Sequence, residues 1–166
     1  MKSSNPLNEL INKYNILKIK YDLLEFSKLN ELFDIEEINP ETELLLKKIR
    51  ENIEEKISEY TRFIEVILNP SNATIFFFKI LKKLDSSDRE ILSKIYEKLS
   101  KFELKIISLD LKYKEESEAE FIKESYNLFN NEMKKELLEI INKLDNREEN
   151  STSFNGSYLG WFFIKY

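Results

Sequence analysis

A chain with very little glycine or proline has few ways to turn sharply, and this one holds two glycines and three prolines among 166 residues. Both glycines, Gly156 and Gly160, stand near the end, and the prolines are Pro6, Pro40 and Pro70. A many-stranded sheet or barrel needs turn residues at each strand junction, so this scarcity points to helices. The stretch from Pro40 to Asn69 shows how they are built. Asn39 can cap a helix start, and Pro40 suits its first turn, where the missing N–H has no partner anyway. Leu46, Ile49, Ile53, Ile57, Tyr60, Ile64 and Ile67 then recur at steps of three and four, which gathers them into one stripe. The residue before a proline avoids the helical region, so Asn69 before Pro70 ends the pattern. A helix of that length runs about 45 Å and predicts the spine of a bundle.

The rest of the chain repeats the device. Ser4 and Asn5 precede Pro6 and open a first helix with a seam of Leu7, Leu10, Tyr14, Leu17, Tyr21 and Leu24, widened by Ile11, Ile16, Ile19, Leu23 and Phe26. The pattern loosens from Ser27 to Asn39, where Phe33, Ile35 and Ile38 are expected to pack while the chain reverses. Phe77, Ile80, Leu81 and Leu84 predict a short, deeply buried helix. Asp85-Ser86-Ser87-Asp88 breaks it, and Ser87 with Glu90 forms a capping-box pattern for a fourth helix. That helix carries Ile91, Ile95, Leu99, Phe102, Ile106, Leu109 and Tyr113. A second box pattern, Ser117 with Glu120, opens the last long helix, whose seam is Ile122, Tyr126, Phe129, Met133, Leu137, Ile140 and Leu144. Residues 145–153 read as a loose linker. Residues 154–166 hold both glycines, the single tryptophan and a dense aromatic cluster.

Composition bounds the chemistry. Cysteine and histidine are absent, which removes thiolate or imidazole metal sites, the cysteine nucleophile and the best proton-transfer side chain near neutral pH. A serine triad lacks its histidine, and two glycines four residues apart cannot form a phosphate-cradling loop. The first residues show no apolar signal-peptide core, and no stretch approaches the roughly 20 apolar residues that span a bilayer, so a cytoplasmic location is the expectation.

Mg²⁺ needs only oxygen ligands. Candidates are Glu51, Glu54, Glu55 and Glu59 on the spine and Glu115, Glu116, Glu118 and Glu120 before the last helix. All-helical nucleotide pyrophosphohydrolases use a Glu-Glu-x-x-Glu run followed by Glu-x-x-Asp, and that order is not present. Lys47, Lys48, Arg50, Lys56 and Arg62 alternate with the spine glutamates, which favours surface pairs one helical turn apart.

The chain carries −5 overall, yet residues 70–113 hold nine Lys/Arg against six Asp/Glu, a local +3. On the fourth helix Lys94, Lys98, Lys101, Lys105 and Lys112 form one stripe beside the seam. Such a stripe suits an acidic partner; alternatively the methylene stems cover the seam while the ammonium groups meet glutamates of a neighbouring helix. Net acidity and scattered arginines argue against nucleic-acid binding. Trp161, Phe162, Phe163 and Tyr166 are of the types that dominate interaction hot spots, or else they dock on the bundle and close it.

The sequence therefore predicts a single all-α domain over residues 1–166. It is a mostly antiparallel bundle of four long helices plus one short buried helix, with residues 154–166 as an aromatic C-terminal segment docking on the bundle. The expected function is a non-enzymatic helical interaction module, an adaptor or an acidic inhibitor or immunity-type partner, with no cofactor. Its partner would be another protein or a second copy, met through Trp161, Phe162, Phe163 and Tyr166 or through Lys94, Lys98, Lys101 and Lys105. The alternatives are a carboxylate–Mg²⁺ nucleotide phosphohydrolase and a bundle that holds an apolar ligand.

Overall fold

The computed structural model describes residues 5–72 and 75–145, without the side chains of Asn72, Phe76 and Ile80. The fold is all-α, and the elements are α1 (Pro6–Tyr21), α2 (Phe26–Phe33), α3 (Leu45–Leu68), α4 (Ile75–Leu81), α5 (Ser86–Leu111), α6 (Glu115–Asn127) and α7 (Lys134–Asp145). Single 3₁₀ turns lie at Ile35–Glu37 and Pro70–Asn72, and a π-helical turn, Leu128–Met133, joins α6 to α7 without a break in helical backbone.

Contacts between the long helices set their directions. Arg50 meets Asp110 while Arg89 reaches the Ile67 carbonyl, so α3 and α5 run antiparallel. Lys105 pairs with Glu124, Lys98 with Glu132 and Lys143 with Asp88, so the α6–α7 rod runs antiparallel to α5. Consequently α6 lies parallel to α3, as Arg50–Glu118 and the Tyr60–Phe129 ring contact require. The predicted seams fill the space between them: Leu46, Ile49, Ile53, Ile57, Ile64 and Ile67 on α3, Ile95, Leu99 and Ile106 on α5, and Ile122, Phe129, Met133, Leu137, Ile140 and Leu144 on the last rod are all buried.

Several element boundaries differ from the sequence expectation. The first helix stops at Tyr21 because Asp22 adopts the left-handed conformation, φ 51°, and its N–H bonds to the Lys18 carbonyl. Aspartate tolerates that region better than most residues, so no glycine is needed. Phe26 instead opens α2, where its ring meets Tyr14 edge-on at 5.5 Å and the Tyr14 hydroxyl donates to the Leu24 carbonyl at 2.7 Å. Ile16 and Ile19 point to solvent rather than widening the core stripe, while Phe33, Ile35 and Ile38 are buried as the chain reverses.

The spine begins at Leu45 rather than Pro40. Asn39 does accept from a nearby amide, that of Glu41 at 2.9 Å, and its carbonyl accepts from Thr42, so Asn39-Pro40 closes a turn instead of opening a helix. The short helix α4 buries Leu81 and half-buries Phe77, but Ile75 and Phe78 face outward, so it lies on the surface of the core rather than deep within it. The capping box of α5 is Asp85 with Asp88, each side chain accepting from the other's amide, two residues before the Ser87–Glu90 pair. At α6 the helix starts at Glu115, ahead of Ser117, with Glu115, Glu116 and Glu118 set against the positive end of its dipole.

Arg50 is the largest fully buried side chain, at 1% exposure, although its sequence neighbours made it look like a surface cation. Its Nε donates to Glu118 at 2.9 Å, one terminal nitrogen to Asp110 at 2.6 Å and the other to Glu54 at 3.4 Å, so one guanidinium joins α3, α5 and α6. Burial pushes the Glu118 carboxyl above its ordinary range, and the Arg50 charge opposes that shift. Removing one partner of a buried pair leaves the other uncompensated, so Arg50→Ala is expected to cost about 3–5 kcal/mol, and Arg50→Met with Glu118→Leu to recover most of it. Urea denaturation of the two variants checks this; an Arg50→Ala protein as stable as the parent would refute the hub.

Asp88 makes the corresponding staple at the other end of α5. Its carboxylate accepts from the Asp85 amide at 3.1 Å and from Lys143 of α7 at 2.5 Å, and chiefly the Lys143 ammonium holds its pKa below the usual carboxylate value. A depressed folded pKa contributes stability above the unfolded value, about 3.9, that is lost as pH falls through the folded one. The stability gap between the parent and Asp88→Asn should therefore be widest above about pH 4 and close below it, as read from melting temperatures across that range.

Candidate functional site

The lysine stripe of α5 lies where the spacing placed it. Lys94 pairs with Glu90 at 2.7 Å and Lys101 with Glu97 at 2.7 Å, each one turn back on the same helix. Lys98 and Lys105 cross to Glu132 and Glu124 of the last rod, Lys98 at 2.6 Å, and Lys105 also stands 5.3 Å from the centre of the Phe102 ring. The four ammonium groups thus have carboxylate partners, in pairs that are all largely exposed. Exposed pairs of this kind contribute about 0.2–1 kcal/mol each, so they tie the groups only weakly.

Beside the lysines lies an exposed apolar row outside the α5 seam. Leu104, Ile107 and Leu111 are 68%, 56% and 83% exposed. At about 100° per residue they fall within a sector of about 60°, opposite the buried Ile95, Leu99 and Ile106. The lysines occupy the adjoining sector on the side facing α6 and α7. The other flank carries Glu103 and Asp110, and Asp110 is already committed to Arg50. The C-terminal half of α5 is therefore apolar on two opposite faces, one in the core and one in water. The signal was present in the sequence, because Leu104, Ile107 and Leu111 are spaced i, i+3, i+7 outside the assigned seam.

The acidic candidates do not converge. Glu51 is held by Lys48 at 2.5 Å, Glu54 by Arg50, and Glu115 by Lys20 at 2.7 Å and by the Tyr21 hydroxyl. Glu55 and Glu59 point to solvent, and Glu118 is buried on Arg50. Among the described residues no group of three or more Asp/Glu is placed to hold a metal ion. Glu116 and Glu120 line a shallow surface depression of about 430 Å³ with Tyr21, Lys123 and Glu124, polar and open to solvent. The corresponding depression near the start of α3, about 370 Å³, is bordered by Thr42, Glu43, Lys47 and Glu51. Trp161, Phe162, Phe163 and Tyr166, and the linker before them, lie outside the described residues.

No helix among the described residues is long and apolar enough to cross a membrane. Comparison with protein-family models, curated proteins and solved structures gives no match to this chain.

Because Leu104, Ile107 and Leu111 bury little, replacing all three with serine should change the unfolding free energy by no more than about 0.5 kcal/mol per site. A much larger loss in urea denaturation would mean that these side chains belong to the core.

Proposed function

We propose that this chain is a non-enzymatic helical interaction module, an adaptor or inhibitor, whose α5 receives an amphipathic helix of another protein with an acidic flank. What supports this reading is the row Leu104, Ile107 and Leu111, three large apolar side chains exposed together over about 10 Å of one helix face. Scattered surface leucines need no explanation, whereas a contiguous apolar row bordered by charge is the usual mark of a docking face. An incoming helix with anchors at i, i+3, i+4 and i+7 would lie along that row. Lys101 and Lys105 border it on one side, and Lys94 and Lys98 continue the basic stripe toward the start of α5, which selects carboxylates on the corresponding flank of the partner. Glu90 and Glu97 are exposed, so the partner's carboxylates exchange with them at small cost. Complementary charge of this kind fixes register and accelerates encounter, while the apolar row supplies the burial.

The other two readings have no such observation behind them. The spine glutamates Glu51 and Glu54 are engaged by cations, and both surface depressions are open to solvent and lined largely by charged side chains.

Ser108 is exposed between Leu104 and Leu111, so a photo-crosslinking side chain placed there samples the face directly. Irradiation in native extract should join it to one protein, through a segment with an apolar stripe and acidic flank. Capture should fall steeply with added salt and vanish in the Leu104→Lys, Ile107→Lys, Leu111→Lys triple variant. Crosslinks that survive in the triple variant, or that join only to a second copy of this chain, would overturn the reading.

A further inference from the structure

Another exposed apolar face belongs to α4, and its setting differs from that of α5. Ile75 is 81% exposed and Phe78 41%, one turn apart on the same side of the helix, while Leu81 and Leu84 anchor the segment to the core. Exposed Lys79 and Lys82 border that face. The end of α7 lies beside it. Lys83, just past α4, donates from its ammonium to the carbonyl of Leu144 at 3.3 Å, and Lys143 holds Asp88 at the start of α5. Helix α7 therefore ends at the end of the molecule that carries α4.

Its sequence fits what is exposed there. Residues 146–153, about eight, span at most about 26 Å when fully extended, at roughly 3.3 Å each. Helix α4 is only 7 residues long, about 10 Å, so its face is well within that reach. The outer face of α5 is a poorer candidate. Leu104 lies about 24 Å along α5 from Asp88 and Leu111 about 35 Å, at 1.5 Å per residue. Glu148 and Glu149 precede the aromatic segment by a few residues and carry the charge opposite to Lys79 and Lys82. Phe154, Tyr158, Trp161, Phe162, Phe163 and Tyr166 then supply rings that pack against Ile75 and Phe78 and that also accept lysine ammonium groups over their faces.

We propose that residues 154–166 are an intramolecular ligand of α4: the aromatic segment covers Ile75 and Phe78, and Glu148–Glu149 meets Lys79 and Lys82. The observations behind it are the exposed α4 face, the place where α7 ends, the length of the connecting segment and the complementary charges. It is independent of the α5 reading, since it leaves Leu104, Ile107 and Leu111 open. It also assigns the faces of α4 and α5 different occupants, one from within the chain and one from outside.

Trp161 is the only tryptophan, so its fluorescence reports on the segment alone. In the full chain the proposal expects blue-shifted emission that does not change on dilution. Ile75→Asp with Phe78→Asp should shift the emission to that of indole in water and raise acrylamide quenching severalfold, with the far-ultraviolet circular dichroism retained. Glu148→Lys with Glu149→Lys, which alters no helix, should weaken the blue shift at low salt. Leu104→Asp should leave it unchanged. Solvent-like emission in the parent protein, a blue shift indifferent to the α4 variant, or one abolished by Leu104→Asp would each overturn the assignment. A blue shift lost on dilution would do so as well, because it would place the segment on a second copy.

Discussion

One guanidinium holds the arrangement of the long helices. Helices α3 and α5 run antiparallel and pack along a continuous apolar seam, but apolar seams tolerate sliding by a turn more readily than a charge cluster does. Arg50 bonded to Glu118, Asp110 and Glu54 at once removes that freedom. A register shift of one turn would separate Arg50 from Asp110 and Glu118 by about 5 Å, leaving Glu118 buried without its cation and Arg50 with only Glu54 of its own helix. Desolvation makes such a pair a doubtful source of net stability, and its better-attested use is to specify one arrangement over near alternatives. The raised pKa of Glu118, with burial as its leading cause, is a sign of that desolvation.

Most of what the sequence made legible came from periodicity. The seams of α3, α5 and the last rod were readable because most buried positions are apolar at helical spacing, Arg50, Thr61, Asp88, Glu118 and Ser125 being the exceptions. Boundaries were less legible, since they depend on local competition. Asp22 and Asp34 end helices in the left-handed conformation that glycine usually supplies, and an aspartate gives no comparable warning. Asp85–Asp88 performs the capping that Ser87–Glu90 suggested, because two overlapping matches lay within six residues and only packing chose between them. Arg50 was hidden for a different reason. Its neighbours Lys47, Lys48 and Glu51 made an ordinary charged face, while its true partners stand 60 and 68 positions away. Glu118 stands out in the sequence as an acidic candidate and Arg50 as one of the spine cations, but their pairing with each other is a tertiary contact that no local spacing shows.

The candidate site was legible in a different sense. Lysine spacing located the stripe, but the apolar row beside it emerged only when the core side of α5 was known. Leu104, Ile107 and Leu111 have ordinary helical spacing, and one helix cannot present two opposite apolar faces to the same neighbours. Assigning Ile95, Leu99 and Ile106 inward therefore leaves the others outward. A sequence reading that asks which apolar residues fall outside the chosen seam would have reached the same three.

The position of that row on the scaffold bears on what it can do. Helix α5 is pinned at its start by the Asp85–Asp88 box and the Lys143 contact, and near its end by Asp110 on Arg50. Between those points its inner face is packed into the core, so the outer face is held on a supported helix rather than on a loop. Binding by a preordered surface loses less conformational entropy than binding by one that must first fold. The buried arginine and the exposed leucines are thus connected: the first fixes the register of α5 against its neighbours, and the register decides which of its apolar residues remain in water.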